Sequence, residues 1–215
     1  ASLLTGAVGA VSLAGVSPAF RELFGITSEE QAKNLGIVQM NQVFEDKNGS
    51  GATVTVKEAA ADQEQFYILV EFAAPEGTVL PEPDQVEEGF NRAVLWGGPD
   101  GRGIGFGAYR DESCTSFIGS SEAGYAIDYV EDSDPTDNKM EFIIRGHIDP
   151  MPKDAAYCLF SGIQSLCMQY QGEWVTMLDG MDIDLIVPLV GMGTHYDFQG
   201  RCGVNLNGVT LAVAE

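Results

Sequence analysis

The sequence has few of the residues on which most enzymatic sites depend. It contains two histidines, His147 and His195, and neither belongs to an H-E-x-x-H motif. No G-x-S-x-G motif supplies a serine nucleophile. With 32 acidic residues in the chain, any pair of carboxylates can be nominated as a glycosidase acid and base, so no single pair is informative. We therefore predict a non-catalytic protein without a cofactor.

Cysteine is also scarce. The four cysteines are too widely spaced for a disulfide-dense scaffold, and none forms a C-x-x-C pair, so a zinc site is not expected. They are Cys114, Cys158, Cys167 and Cys202. Cys158 and Cys167 lie in neighbouring apolar runs, where they either face one another in a hairpin or remain free thiols. The sequence leaves the disulfide state open.

Positively charged residues are also scarce. The chain has 11 lysines and arginines against 32 acidic residues, which gives a formal net charge of -21. Such a chain repels phosphate backbones and anionic lipid headgroups, so nucleic acid is not an expected partner. The acidic residues either keep an exposed surface soluble, which is the simpler interpretation, or bind cations or a basic partner.

Charge is absent from the first twenty residues, ASLLTGAVGAVSLAGVSPAF. A span of about 20 uncharged residues is the length that a membrane helix needs, and it also resembles the apolar region of a secretory signal. No lysine or arginine precedes it, so we expect the chain to begin partway through such a segment. Residues 1–16 are assigned to the outer end of a membrane span or to a signal remnant. The alternative is an Ala/Gly-rich element docked on the domain.

Capping signals predict short helices within residues 17–36. Ser17, followed by a proline, is a favourable N-cap, and Gly25 is a favourable terminator. For the second helix, Thr27 and Glu30 match a capping box, in which the hydroxyl and the carboxylate satisfy free backbone amides.

From residue 37 onward the apolar period changes to two, and residues 37–215 are predicted to form one β domain. Residues 51–73 are central to it, because an alternating run is followed by the almost wholly apolar FYILVEF. Between them, residues 59–64 form either a helical turn or a loose hairpin connection. About ten strand candidates with helices only at the front indicate an immunoglobulin-like or related antiparallel β-sandwich. They include 37–44, 92–96, 102–110, 124–130, 140–148, 157–160, 165–171, 183–189 and 209–213.

Glycine in residues 102–110 and proline in residues 183–189 affect how these two strands are interpreted. Residues 92–96 and 102–110 are predicted around the turn 97–101, and residues 101–107 read G-x-G-x-G-x-G. No capped helix follows to present amides to a phosphate, so we interpret this run as a glycine-rich strand that has either a bulge or aromatic neighbours over its backbone. Pro188 restricts the run 183–189 to a sheet edge or a strand end. The strand-like 209–213 indicates that the natural polypeptide continues.

Two loops contain motifs with a second interpretation. Asn48-Gly49-Ser50 matches the glycosylation sequon, although Asn-Gly is also a hairpin dipeptide and the turn is preferred. Asp132, Asp134 and Asp137 lie in an acidic loop that could place oxygens around calcium. The spacing departs from the EF-hand loop and lacks its distal glutamate, so an acidic turn is expected and calcium is left open.

Aromatic side chains give the chain a possible binding role. Aromatic faces stack on sugars and peptides, and several such residues exposed together on one sheet would favour carbohydrate recognition. If they are buried, they belong to the core. The residues are Trp96, Tyr109, Tyr125, Tyr129, Tyr170 and Trp174.

A family resemblance extends over residues 13–189. After the apolar N-terminal segment, the motifs occur in the order SPAFRELFG at 17–25, NLGIVQ at 34–39, VTVKEAAAD at 54–62, APEGTVLPE at 74–82, DPTDNK at 134–139, and Trp174 followed by IVPL at 186–189. In this order they resemble the extracytoplasmic part of the bacterial family known as domain of unknown function 4179.

The resemblance implies a function. Members of the family are similar to membrane-anchored anti-sigma-factor-like proteins of Gram-positive bacteria, with a cytoplasmic portion, one membrane span and an outward-facing β domain. We therefore expect a non-catalytic sensory or interaction domain outside a bacterial membrane, anchored through its N-terminal segment. Its partner would be a protein or small ligand outside the membrane, and a sigma factor would bind only the cytoplasmic portion. The alternative is a secreted or surface module that binds carbohydrate or peptide.

Overall fold

A computed structural model describes residues 12–80, 93–96, 105–120, 123–130, 134, 136–148, 152–181 and 183–190. In these residues a 3-10 turn, Leu13–Gly15, and two α-helices precede twelve β-strands. The helices are α1 (Pro18–Phe24) and α2 (Glu29–Asn34). The strands are β1 (Val38–Glu45), β2 (Thr53–Ala61), β3 (Gln65–Ala73), β4 (Ala93–Trp96), β5 (Gly105–Tyr109), β6 (Phe117–Ser120), β7 (Ala123–Val130), β8 (Lys139–Ile148), β9 (Tyr157–Ile163), β10 (Ser165–Tyr170), β11 (Glu173–Leu178) and β12 (Ile183–Pro188).

The strands form an antiparallel β-sandwich, which confirms the predicted fold class. In the described residues, the first layer is a five-stranded sheet of order β1-β2-β3-β8-β7. The second layer contains the sheets β11-β10-β4 and β12-β9-β5-β6. Alternate side chains of both layers meet in one apolar core, in which Phe66, Phe72, Phe142 and Leu185 are fully buried.

The second layer consists of two sheets, which meet where β9 leads into β10. β9 continues into β10 with only Gln164 between them, and Met181 N–H donates to Gln164 O (2.9 Å) across the interruption. β4 pairs with β10 and β5 with β9, so the predicted strands 92–96 and 102–110 exist but belong to different sheets. Each of these strands pairs with a strand much later in the chain, and the local sequence does not indicate which one. The turn 97–101 lies outside the described residues.

The β2–β3 connection is a hairpin and not a helical turn. Ala59, Ala60 and Ala61 continue β2, where all three are buried. Asp62 N–H donates to Gln65 O (3.0 Å), and Asp62 Oδ1 accepts hydrogen bonds from Glu64 N and Gln65 N (2.8 Å each). β3 is central, as expected, because it pairs with β2 on one side and β8 on the other.

The helices begin and end at capping residues. In α1, Ser17 Oγ accepts a hydrogen bond from Phe20 N (3.2 Å), and Gly25 adopts a left-handed conformation (φ 61°), as predicted. The capping box of α2 lies one residue later than expected, at Ser28 and Gln31. The sequence TSEEQ contains two overlapping matches to the box, and the Gln31 side chain accepts from the amides of both Thr27 (2.8 Å) and Ser28 (3.1 Å).

The outer face of the five-stranded sheet is partly covered by a helical layer, residues 13–36. Its buried side chains Val16, Phe20 and Ile26 pack with Leu69 and Ile143 of the sheet. This docking includes residues 12–16 of the predicted N-terminal segment, whereas residues 1–11 lie outside the described part. None of the helices in the described residues is long and apolar enough to cross a membrane.

Several remaining predictions concern single strands. Gly105 and Gly107 lie in β5, and a Cβ on Gly107 would lie 3.0 Å from the Tyr109 ring. An aromatic neighbour therefore lies over this glycine strand, and the β5–β6 register also shifts between Ala108 and Tyr109. β12 ends at Pro188 and lies at the edge of its sheet in the described residues, also as predicted. β6 had not been predicted. The predicted strand 209–213 lies outside the described residues.

Candidate functional site

The described structure contains one of the two histidines of the sequence. His147 is exposed on β8, where its ring covers Gly124 of β7, since a Cβ on that glycine would lie 2.7 Å from His147 Cε1. His195 lies outside the described residues. Within the described ranges, no group of three His, Cys, Asp or Glu side chains is arranged to hold a metal ion.

The carboxylates of the acidic loop are engaged by their own turn. Asp134 Oδ1 accepts from Thr136 Oγ1 (2.6 Å), and Asp137 Oδ1 accepts from Lys139 N (2.7 Å). The hydrogen bond from Thr136 lowers the pKa of Asp134. Asp132 lies outside the described residues. The described carboxylates therefore form an Asx-type turn before β8.

The cysteines of the described residues are free thiols. Cys158 is fully buried in β9, where burial raises its pKa to about 12. Cys167 lies in β10 of another sheet, with its Sγ 3.5 Å from Thr176 Oγ1. The Cys158–Cys167 pairing that the sequence left open is therefore not formed. A thiol kept protonated by burial is a poor nucleophile.

The most unusual polar group of the described structure is the buried carboxyl group of Glu58. Its side chain is 2 % exposed, yet it lies beneath the helical layer among apolar neighbours. Its oxygens accept hydrogen bonds from Ser17 N (2.8 Å), Ser17 Oγ (2.7 Å) and Gln39 Nε2 (2.7 Å). Gln39 Nε2 also donates to Gly15 O (2.8 Å). We call Glu58, Ser17, Gln39 and Gly15 the docking network.

Two irregularities in neighbouring strands position Glu58. The β2–β3 register shifts between Val56 and Glu58, and the β1–β2 register shifts between Gln39 and Gln42. Asn41, within the second shift, has φ 49°, a conformation that asparagine tolerates better than most residues. Adjacent β-bulges re-aim side chains, and here they lie beside Glu58 and Gln39. No sequence motif predicted this network. The one local signal was a charged residue, Glu58, next to the apolar end of β2.

An ion-paired surface lies on the same sheet face, outside the docking network. Lys57 Nζ is 2.5 Å from Glu141 Oε1 and 3.3 Å from Glu71 Oε2, and Lys139 Nζ is 3.2 Å from Glu71 Oε1. Burial opposes protonation of Lys57, but the carboxylates of Glu141 and Glu71 outweigh it and raise its pKa. Arg145 pairs with Asp128 on the adjoining strands. These cross-strand pairs balance the charge of this face.

The aromatic side chains do not form one platform in the described structure. Tyr125, Tyr129 and Tyr170 are partly buried against the core. Tyr109 contacts Phe117 in an edge-to-face pair 5.5 Å apart on the other layer. Trp174 stands apart on β11, with 51 % of its surface exposed. The Trp96 side chain lies outside the part of the chain that the structure describes.

The β10–β11 hairpin extends beyond the sandwich core. Residues 173–176 of β11 are exposed, whereas Leu178 at the other end of the strand is buried. Trp174 pairs with Gln169, and Val175, 41 % exposed, pairs with Met168. Large apolar side chains exposed on a strand are candidates for contact with another molecule.

A cavity in the core between the described layers is too small for a ligand of drug size. That cavity has a volume of about 20 Å³ and is lined only by apolar side chains, among them Val70, Ile127, Ile163 and Leu185. Ligand pockets are usually of the order of 300–1,000 Å³. We interpret it as a packing defect between the two layers.

The fold and these surfaces define an antiparallel β-sandwich with a helical layer on one outer face. Comparisons with protein-family models, with curated proteins and with solved structures found no match to this chain.

Proposed function

We propose that this chain is the extracytoplasmic sensory or interaction domain of a membrane-anchored, anti-sigma-factor-like signalling protein, and that it acts without catalysis. The uncharged residues 1–20 and the resemblance to domain of unknown function 4179 support the proposal. In this view a sigma factor binds a cytoplasmic portion, and the sandwich binds a protein or small ligand outside the membrane. The sandwich would report that binding through the N-terminal segment.

The observation that carries the proposal is the docking network. The segment that leads from the uncharged N-terminus reaches the sandwich at Gly15 and Ser17, and both residues are hydrogen-bonded to groups of the sheet. A buried carboxyl group with three donors is costly to separate from them, because each donor or acceptor left unsatisfied costs about 1–3 kcal/mol. Movement within the sheet would therefore also move the N-terminal segment.

Membrane topology tests the proposal first. We expect the full-length gene product to contain a span before the domain, with single cysteines engineered into the domain labelled by an impermeant maleimide in intact cells and those before the span protected. We expect sigma factor to co-purify with the cytoplasmic portion. A full-length product with neither a span nor a cytoplasmic segment would refute the proposal.

The docking network gives a second test within the signalling protein. Glu58→Gln removes one acceptor beneath the helical layer and keeps the shape of the side chain, so we expect altered sigma-dependent transcription with unchanged protein abundance. Glu76→Gln is the control, because Glu76 is exposed in the described structure. Equal output from both variants and the parent would argue against transmission through Glu58.

Trp174 supports the alternative function, a secreted or surface module that binds carbohydrate or peptide. An exposed indole is the side chain best suited to stacking on a sugar ring or a peptide. Saturable binding of the isolated domain on a glycan array, lost in Trp174→Ala, would favour a carbohydrate-binding module. Absence of glycan binding would leave the interaction-domain proposal in place.

A further inference from the structure

We propose that the outer edge of β11 binds an extended, lysine- or arginine-bearing segment of a partner protein, which adds to the sheet as a further strand. The inference rests on the interaction role proposed above and names the surface and the partner chemistry. β11 is the last strand in the order β11-β10-β4, and no other described strand pairs with its outer edge. Unpaired backbone groups at such an edge are a template for an added strand.

The β11 edge has few of the features that usually prevent strand addition. Its sequence, EWVTML, contains no lysine and no proline, and it is rich in residues that favour β structure. The register shift between β10 and β11 occurs near Leu178, at the buried end. The exposed residues 173–176 therefore form a regular strand segment.

Three other edges of the described sheets, those of β1, β12 and β6, are better protected. β1 has a register shift beside Asn41, and β12 ends in Pro188, which cannot donate to an added strand. β6 is four residues long, and its pairing with β5 is also shifted. The edge of β11 is therefore better suited than these three edges to pair with another chain.

The side chains of β11 provide contacts on both faces of an added strand. Trp174 and Thr176 lie on the face of Gln169 and Cys167, and Val175 lies on the opposite face with Met168. Strand addition obtains affinity from main-chain hydrogen bonds and specificity from alternate side chains. A partner segment with β-branched residues would place them against Trp174 and Val175.

Charge selects the kind of partner. From residue 157 to residue 190 the chain carries Glu173, Asp179, Asp182 and Asp184 but no lysine, arginine or histidine. A second copy of this chain would bring another net charge of -21 and would be repelled. A basic segment is attracted by the same charge, so we commit to a partner strand that carries lysine or arginine.

The experiment uses the full chain with Trp96→Phe, which leaves Trp174 as the only tryptophan. The probe is a blocked nine-residue peptide in which lysine alternates with valine and threonine. We expect saturable binding, a blue shift of Trp174 fluorescence, and weaker binding at high salt because of screening. A peptide with glutamate in place of lysine, and one N-methylated at alternate backbone amides, are expected not to bind.

Two matched variants locate the binding edge. Val175→Lys places a charge on β11 and is expected to weaken binding by about tenfold or more. Val43→Lys is the control, since Val43 is 59 % exposed on β1, and it is expected to bind as the parent does. If Val175→Lys unfolds, Thr176→Lys replaces it, and circular dichroism verifies the fold of each variant.

Several results would overturn the proposal. They are absence of saturable binding, equal binding by Val175→Lys, and loss of binding in Val43→Lys alone. Amides of residues 173–176 that resist hydrogen exchange in the free chain as strongly as those of β10 would mean that another part of this chain occupies the edge. A dimer in sedimentation that Val175→Lys dissociates would mean that a second copy does. Each readout is independent of the membrane-topology test, so either proposal can fail alone.

Discussion

At the residue scale, the close contact between β7 and β8 explains a glycine whose role the sequence does not reveal. A Cβ on Gly146 would lie 2.3 Å from Gly124 O and 2.6 Å from the Phe66 ring. Backbone atoms cannot move aside as the end of a flexible side chain can. Glycine is therefore required at this position of β8 by packing, and not by an unusual φ angle.

We predict that Gly146→Ala lowers the free energy of unfolding by about 2–4 kcal/mol, because the added methyl group overpacks a paired strand. Gly119→Ala is the matched control on β6, where the nearest atom to a new Cβ would be Pro152 Cγ at 3.7 Å. Its effect should stay within about 0.5 kcal/mol, as measured by urea denaturation. Equal effects of the two substitutions would contradict the packing argument.

Cys158 predicts a loss of stability at alkaline pH. Burial raises the pKa of this thiol from 9.0 to about 12, so above pH 9 the unfolded chain loses the proton while the folded chain keeps it. Stability therefore falls as pH rises through this window, by about 1 kcal/mol at pH 10 for this group. Urea denaturation at pH 7 and pH 10 under reducing conditions measures it. Cys158→Ala should show a smaller fall, and an equal fall would exclude Cys158 as its source.

At the element scale, the two short helices are attached in different ways. α1 and its N-cap contact the sheet through Phe20 and through the Ser17–Glu58 hydrogen bonds. α2 is capped by Ser28 and Gln31, whose hydrogen bonds are exposed. Helices of this length are not stable alone, so their order depends on these attachments.

We predict that Ser17→Ala destabilises the chain more than Ser28→Ala. Both remove an N-cap hydroxyl, which is worth about 1 kcal/mol, but only Ser17→Ala also removes a donor from the buried Glu58. The difference should reach about 1 kcal/mol or more in urea denaturation. Hydrogen exchange in residues 18–24 should rise in Ser17→Ala. Similar effects of both variants would mean that the Glu58 contact adds little.

At the scale of the whole molecule, two electrostatic effects oppose each other. The net charge of -21 causes self-repulsion, which salt screens. Cross-strand ion pairs such as Lys57–Glu141 are attractive, and salt weakens those too. Such exposed or partly exposed pairs contribute little each, so repulsion should dominate.

We therefore predict that sodium chloride raises the free energy of unfolding between low salt and about 500 mM, where the Debye length is only a few ångströms. Urea denaturation at several salt concentrations measures the effect. The double variant Glu76→Gln, Glu112→Gln removes two exposed charges and should respond less to salt. A fall in stability with added salt would show that ion pairs outweigh the net charge.

Local sequence patterns predicted many of the helices and strands. They did not predict which distant strands pair with one another. Ser17 and Gly25 mark the ends of α1 because capping depends on neighbouring residues. Residues 92–96 and 102–110 were predicted as strands, but their partners β10 and β9 lie about fifty residues or more later in the chain. The choice between Thr27 and Ser28 as the cap was ambiguous because both match the same local motif.

The sequence alone determined the strand-rich, antiparallel character of this chain and its acidic surface, since alternation, turn residues and charge are properties of neighbours and of composition. Only the tertiary structure decided that Glu58 is buried under the helical layer and that Trp174 lies on an exposed edge. Burial is a property of what a residue packs against after distant segments meet. The sequence of a strand does not show whether a glutamate or a tryptophan in it is buried or exposed.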